Sequence, residues 1–133
     1  MVIDTSALVA VLFDEAEREE FVEAMARAPR LLISAGTLIE CSVVVEARSG
    51  ESAGRELDLF LHRGGVEVIA IDEDQASIAR TAWRTYGKGD HAAGLNLGDL
   101  FSYALATSMG EELLFKGDDF VRTDITRAQT GDN

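Results

Sequence analysis

Residues 31–47 read LLISAGTLIECSVVVEA, and they place a short apolar run directly before a helical pattern. The run over residues 31–34 predicts a buried strand, because strands that are covered on both faces are continuously apolar. A helical pattern follows over residues 38–47 and ends at Ser49-Gly50. The segment therefore predicts a strand that leads at once into a helix.

The same alternation extends in both directions from this unit. Upstream, residues 2–4 form an apolar run that ends in an acid, a helical stretch follows, and residues 14–28 have the spacing of an amphipathic helix. Downstream, the pattern predicts helices over residues 51–62, from the N-cap Asp72 to Tyr86, and from Asp99 onward, with strands over residues 66–71 and 113–115. We expect an α/β fold with a central, mainly parallel twisted sheet and helices on both faces.

Two segments lie outside these predicted elements. Residues 87–98, GKGDHAAGLNLG, form a glycine-rich loop, and its Gly87-Lys88 pair lacks the rest of a phosphate-binding P-loop. After Thr126 the chain is polar. We therefore expect one domain over residues 1–126 and a polar tail over residues 127–133, which could fray.

Composition excludes several classes of protein. The chain has 133 residues, 47% of them apolar, which is enough for one core. No apolar run approaches the roughly 18 residues of a membrane span, and the first residues lack the basic start of a secretory signal, so we expect a cytoplasmic protein. Cys41 is the only cysteine, and the only histidines are His62 and His91. An internal disulfide or a cysteine-rich zinc site is excluded, and any metal should be bound by oxygen.

The formal charge of −12, from 24 acidic and 12 basic residues, argues against broad non-specific binding to a polyanion. In one interpretation the acids form a solvated surface that keeps the protein soluble. In the other, some of them converge on a divalent cation, or an acidic face recruits a basic partner.

Several acids occupy the ends or first turns of predicted elements: Asp4, Glu40, Asp99, Asp118 and Asp119. Each has a structural explanation, since Asp4 and Asp99 could cap helices and the Asp118-Asp119 pair could belong to a turn. Glu40 is the exception, because we expect its helix to be largely buried, where an unpaired carboxylate costs several kcal/mol.

The carboxyl ends of parallel strands meet at one edge of a sheet, where the strand order reverses and ligands bind. Asp4 and the Asp118-Asp119 pair both follow strands at that edge. Crowded carboxylates raise one another's pKa unless a cation neutralises them, and Mg²⁺ prefers a few carboxylates together with waters. The predicted chemistry is phosphoryl transfer or phosphodiester hydrolysis, in which one or two ions activate a water.

Four motifs in order resemble those of PIN domains, and specifically those of the VapC toxins of bacterial type II toxin-antitoxin pairs. They are VIDTSA at residues 2–7, the Glu40 helix after TLI, NLGDLFSYALA at residues 96–106, and LLFKGDDF at residues 113–120. Each motif alone is weak, but the ordered set spans residues 1 to about 125.

The resemblance implies that Asp4, Glu40 and Asp99 are the acids of the metal site, with Asp4 and Asp99 as direct ligands. Thr5 or Ser6 would hold a carboxylate or a water by hydrogen bonding. Many relatives have the fourth acid three residues before the final phenylalanine, where this chain has Gly117, whereas a subgroup reading KGxDF keeps only the acid directly before it. This departure favours Asp119 over Asp118.

The resemblance also implies a function and partners. It implies a Mg²⁺-dependent endoribonuclease, with Mn²⁺ able to substitute, that cuts tRNA or rRNA at defined sites. It further implies a homodimer and inhibition by a small VapB-type antitoxin, whose basic tail would suit the charge of −12.

Four residues lie near the predicted active edge and could contact RNA phosphates: Lys88, His91, Lys116 and Arg122. The simpler interpretation of each is an ordinary solvated group. A haloacid-dehalogenase-type phosphatase would need an acid at Ser6, and a response-regulator receiver would need its acidic pair early in the chain. The remaining alternative is a non-catalytic acidic interaction module of PIN-like fold.

Overall fold

The computed structural model describes residues 1–89 and 91–131 and contains four short strands and six helices within them. In chain order the elements are β1 (Val2–Ile3), α1 (Thr5–Leu12), α2 (Arg18–Arg27), β2 (Leu32–Ser34), α3 (Ala35–Ser49), α4 (Glu51–Arg63), β3 (Glu67–Ile69), α5 (Glu73–Tyr86), α6 (Leu97–Met109) and β4 (Leu113–Leu114).

The four strands form one sheet in the order β3-β2-β1-β4, and all pairs are parallel. The chain moves from β1 through β2 to β3 on one side, and then crosses to place β4 on the other side of β1. The strand order therefore reverses at β1 and β4, which puts the predicted binding edge after Ile3 and Leu114.

Alternate strand residues face two separate cores, as the two-residue period of a strand requires. Ile3, Ile33 and Leu114 pack in the core formed with α1, α2, α3 and α4. Val2, Leu32 and Leu113 pack in the second core, with α5 and α6. Helices cover both faces of a parallel sheet, so the predicted α/β fold class is confirmed.

The prediction of one helix over residues 14–28 is wrong at its start. Helix α1 ends at Leu12 and α2 begins only at Arg18. Asp14 between them has a φ of 54°. This left-handed conformation interrupts a right-handed helix, so the chain makes two helices with a turn between them.

The prediction that Asp99 starts a helix is also wrong, by two residues, because α6 begins at Leu97. Asn96 is the N-cap, and its side-chain oxygen accepts a hydrogen bond from the Asp99 backbone N–H at 3.0 Å. Leu97 and Gly98, the last two residues of the predicted glycine-rich loop, therefore belong to α6. Asp90, within that segment, lies outside the described residues.

The chain beyond Thr126 still contacts the sheet. The Ala128 N–H donates to the Leu113 carbonyl at 2.9 Å, and the Arg127 guanidinium lies 4.3 Å from the centre of the Phe115 ring. Residues 132 and 133 of the predicted tail lie outside the described residues. None of the helices in the described part of the chain is long and apolar enough to cross a membrane.

Candidate active site

Asp4 lies at the carboxyl end of β1, and its side chain is buried. It is the N-cap of α1, and its Oδ2 accepts hydrogen bonds from the Ser6 N–H at 3.1 Å and the Ser6 hydroxyl at 2.7 Å. Its Oδ1 accepts from the Ser102 hydroxyl at 2.6 Å. Asp4 therefore caps α1, as one interpretation of the sequence predicts, and it also lies where the strand order reverses.

A chain of hydroxyl groups fixes this carboxylate from behind. Ser102 and Thr37 are both fully buried, and their hydroxyl oxygens are 3.1 Å apart. Ser102 has one hydroxyl proton and gives it to Asp4, so Thr37 is the donor to Ser102. On the other side, the Ser6 hydroxyl accepts from the Lys116 N–H at 2.9 Å. Asp4 is thus tied to α3, α6 and the segment after β4.

Glu40 lies beside the N-terminus of α6. Its Oε1 accepts a hydrogen bond from the Thr5 hydroxyl at 2.6 Å, and a Cβ built on Gly98 would overlap its carboxylate. Only a glycine at position 98 therefore leaves room for the Glu40 side chain where it lies. The hydrogen bond from Thr5 and the space above Gly98 therefore keep the Glu40 carboxylate beside the N-terminus of α6.

The surroundings of Glu40 differ from the prediction in two ways. Ser34 caps α3, which begins at Ala35, so Glu40 is in the second turn and not the first. The helix is also not largely buried, because Ile39 is 67% exposed and Val43 is 62% exposed. The prediction that burial requires a cation at Glu40 is therefore wrong. A cation is expected at Glu40 only because other acids lie close to it.

Asp99 is the acid whose electrostatics are most disturbed. It is 7% exposed, and its Oδ2 accepts from the Asn96 N–H at 3.0 Å, which completes a capping box. Burial is the largest cause that raises the pKa of Asp99 to about 7, and the charges of Asp119, Asp4 and Glu40 raise it further against the effect of the Asn96 bond. Four acids from four parts of the chain therefore converge on one place.

Asp118 and Asp119 both lie in the exposed loop after β4, next to Gly117, whose φ is 96°. Asp119 is among the charges that act on Asp99. Asp118 is not among them.

The four predicted RNA contacts differ in their surroundings. The Lys116 ammonium is 2.9 Å from a Glu15 oxygen and 3.3 Å from a Glu17 oxygen, so its charge is already balanced. His91 is exposed and its Nδ1 accepts from the Ala93 N–H at 2.9 Å. Lys88 and Arg122 are both exposed.

Cys41 lies close to the acids but does not share their chemistry. Burial raises the pKa of its thiol to about 12, and the charges of Glu40 and Asp4 add to this effect. The thiol therefore stays protonated and is a poor nucleophile and metal ligand.

The donor groups of this site suit a hard divalent ion. They are carboxylate oxygens, and the crowding of four of them is the condition that a cation relieves. Within residues 1–89 and 91–131, no three acidic, histidine or cysteine side chains already enclose a common point. An open set of this kind fits Mg²⁺, which is usually held by one or two carboxylates and several waters.

Comparison with known proteins identifies the family. The PIN domain model matches residues 1–125. The chain is 57% identical over 125 residues to Ribonuclease VapC30 of Mycobacterium tuberculosis, covering 94% of this chain and 95% of that protein. This chain therefore belongs to the PIN domain family. Within that family it belongs to the VapC ribonucleases.

Solved structures show the same fold. M. tuberculosis VapC20, a sarcin-ricin loop cleaving toxin, superposes with a TM-score of 0.75 at 20% identity, covering 94% of this chain and 95% of that one. A toxin-antitoxin complex from Klebsiella pneumoniae gives a TM-score of 0.68 at 24% identity, with 92% of each chain covered.

Proposed function

We propose that this VapC ribonuclease is a Mg²⁺-dependent endoribonuclease whose active site is the cluster of Asp4, Glu40, Asp99 and Asp119. The observation that carries the proposal is the convergence of three carboxylate charges on the buried Asp99. Such an arrangement disfavours ionised Asp99 unless a cation is bound, which makes the cluster a candidate functional site.

The residues have separate tasks in this proposal. Asp4 and Asp99 would hold the ion, with Mn²⁺ able to replace Mg²⁺, while Glu40 and Asp119 complete the negative charge around it. A bound divalent ion supplies activation of a water and stabilisation of the departing oxygen of the phosphodiester.

The hydrogen-bond partners of the acids are positioning residues. Ser6 and Ser102 fix both oxygens of Asp4, Thr5 fixes Glu40, and the Asn96 N–H fixes one oxygen of Asp99. The other oxygen of Asp99 has no hydrogen-bond donor among the described residues and can turn to a ligand. Because these hydrogen bonds already orient the carboxylates, the carboxylates need little rearrangement during the reaction.

The proposed biological setting is a type II toxin-antitoxin pair in the cytoplasm. The Klebsiella structure of the same fold is a toxin-antitoxin complex. A VapB-type antitoxin with a basic tail would complement the charge of −12 and the acidic site. We further propose a homodimer, and tRNA or rRNA cut at defined sites as the substrate.

The experiment that tests the proposal is cleavage of total tRNA and rRNA by purified, partner-free protein. Discrete fragments are expected with Mg²⁺ or Mn²⁺, and none with EDTA. Readdition of Mg²⁺ to the EDTA-treated protein should restore the same fragments. A well-folded protein that cuts neither RNA with either ion would contradict the proposal and favour the non-catalytic interaction module.

Gly98→Ala is expected to lower cleavage more than tenfold without lowering the unfolding temperature. The new Cβ overlaps the Glu40 carboxylate and must move it away from Thr5, whereas alanine is at least as good a helix former as glycine in the first turn of α6. Steady-state cleavage rates and thermal unfolding of the same samples measure the two effects.

Gly54→Ala is the matched control for this substitution. Gly54 is also helical, and a Cβ there would lie 2.8 Å from Cδ of Glu46, the exposed end of another glutamate. Its cleavage rate should equal that of the unmodified protein. Equal rates for both variants would show that the place of Glu40 does not matter.

A further inference from the structure

A groove of about 530 Å³ lies between α5 and the start of α6, beside the acidic cluster. Its lining combines apolar and basic side chains from the two helices and the loop between them: Ala79, Arg80, Trp83, Arg84, Lys88, Asn96, Leu97, Leu100 and Phe101. The acids described above do not line the groove, so it is a second feature of the molecule.

The charge of this groove is opposite to that of the protein. The chain has twice as many acidic as basic residues, 24 against 12. Yet the described lining contains three cations, Arg80, Arg84 and Lys88, and no carboxylate. They follow one another at intervals of four residues, which places Arg80 and Arg84 in one row on α5. A row of this kind is suited to a polyanion.

The apolar part of the groove offers a flat surface. Trp83 is 44% exposed, and its ring lies against the backbone of Gly87, where an added Cβ would be 2.7–2.8 Å from the ring carbons. Phe101 is held in a similar way against Gly36 of α3. An exposed aromatic ring that is already fixed can stack on a nucleic-acid base with little loss of entropy.

The groove shares the first turn of α6 with the acidic cluster. Asn96 and Leu97 line it, and the Asn96 N–H donates to Asp99. Phe101 follows Asp99 by two residues and also lines it. The groove and the acidic cluster therefore meet at the N-terminus of α6.

We propose that this groove binds an unpaired nucleotide next to the phosphodiester that is cut, with its base stacked on Trp83 and flanking phosphates contacted by Arg80, Arg84 and Lys88. The proposal rests on the proposed ribonuclease function and adds the residues that select single-stranded substrate. A protein partner could also cover the apolar surface, but the row of three cations in the described lining favours RNA.

The fluorescence of Trp83 tests binding directly, because it is the only tryptophan in the chain. The protein in EDTA is titrated with a single-stranded RNA of about eight nucleotides and with a duplex of the same length. The single strand should quench the emission to saturation at low salt, and the duplex should quench it much less. Arg80→Ala and Arg84→Ala should each weaken the affinity and reduce the salt dependence. Arg63→Ala, which removes an exposed charge on α4, should leave both unchanged.

Cleavage kinetics test the role of the ring. Trp83→Ala should lower kcat/KM about 5- to 100-fold through KM, while Trp83→Phe keeps most of the activity, because phenylalanine still stacks. Leu59→Ala is the control, since Leu59 is exposed on α4.

The outcomes separate this inference from the proposed function. If the unmodified protein cuts RNA but Trp83→Ala does so equally well, the inference is overturned and the ribonuclease function stands. If RNA quenches Trp83 but no cleavage occurs with any ion, the groove binds RNA and the proposed function fails. If the emission of Trp83 does not change with RNA but shifts with protein concentration, a second copy of the chain covers the groove. This result would also overturn the inference.

Discussion

Replacing Asp4 with asparagine is expected to reduce RNA cleavage by about 10²–10³-fold or more, with little change in stability. Asparagine has the same size and keeps one acceptor oxygen for the hydroxyl groups that surround position 4. Its amide group can donate to Ser102, which can then turn its own proton towards Thr37. The substitution therefore removes the negative charge and costs about 1 kcal/mol of hydrogen bonding.

Cleavage and metal binding should be measured on the same preparation. Mg²⁺ or Mn²⁺ should raise the unfolding temperature of the unmodified protein and not that of Asp4→Asn, because the variant has lost a proposed ligand. Asp58→Asn, at an exposed position on α4, is the matched control and should keep both properties. Cleavage at the normal rate by a well-folded Asp4→Asn protein would remove Asp4 from the site.

The place of Asp4 is the part of the site that the sequence predicts best, for a physical reason. A short apolar run is long enough to signal a buried strand, and the alternation of strands and helices leads to a parallel sheet. The carboxyl ends of such strands share one edge, so the acids after β1 and β4 must be neighbours. This step needs topology only, and no knowledge of side-chain packing.

The supporting contacts could not be predicted in the same way. Ser102 reaches Asp4 across 98 positions of the chain, and Thr37 is 65 positions from Ser102. Such contacts depend on how α3 and α6 pack, which local patterns do not contain. A partial signal existed for Ser102, because it follows Asp99 by three residues on one helix and so shares its face.

The errors in the prediction also have physical causes. Asp14 has a left-handed conformation, which aspartate adopts more readily than most residues. The spacing of the apolar residues does not indicate this conformation. At α6, the residue that caps the helix is Asn96, three residues before Asp99, and the two form a reciprocal capping pair that places Asp99 inside the first turn. Glu40 was predicted to be buried because its neighbours are apolar, but Ile39 and Val43 are exposed.

Asp99→Asn is expected to have opposite effects on stability and on activity. Without metal, the variant should be more stable than the unmodified protein at pH 8, by on the order of 2–4 kcal/mol, because the substitution removes a charge that the fold disfavours. With Mg²⁺, the variant should lose cleavage as Asp4→Asn does. The Asn96 N–H keeps its bond, since the asparagine oxygen also accepts.

The pKa of Asp99 determines how the difference in stability between Asp99→Asn and the unmodified protein depends on pH. In the folded protein the pKa of Asp99 is raised to about 7, above that of the unfolded chain, so the folded state holds the proton more tightly. Protonated Asp99 therefore contributes stability below about pH 4, and this contribution is lost as the pH rises towards 7. The advantage of Asp99→Asn in EDTA should be small near pH 4 and should grow up to about pH 7.

Denaturant unfolding in EDTA at a series of pH values measures this trend, with Asp58→Asn as a control whose difference from the unmodified protein stays flat. The same proton competes with the metal, because a ligand carboxylate must be ionised to bind. Mg²⁺ affinity and cleavage should therefore both fall as the pH is lowered below about 7. If Asp99→Asn is less stable than the unmodified protein at every pH in EDTA, the acids do not repel one another at Asp99, and the case for a metal site there is lost.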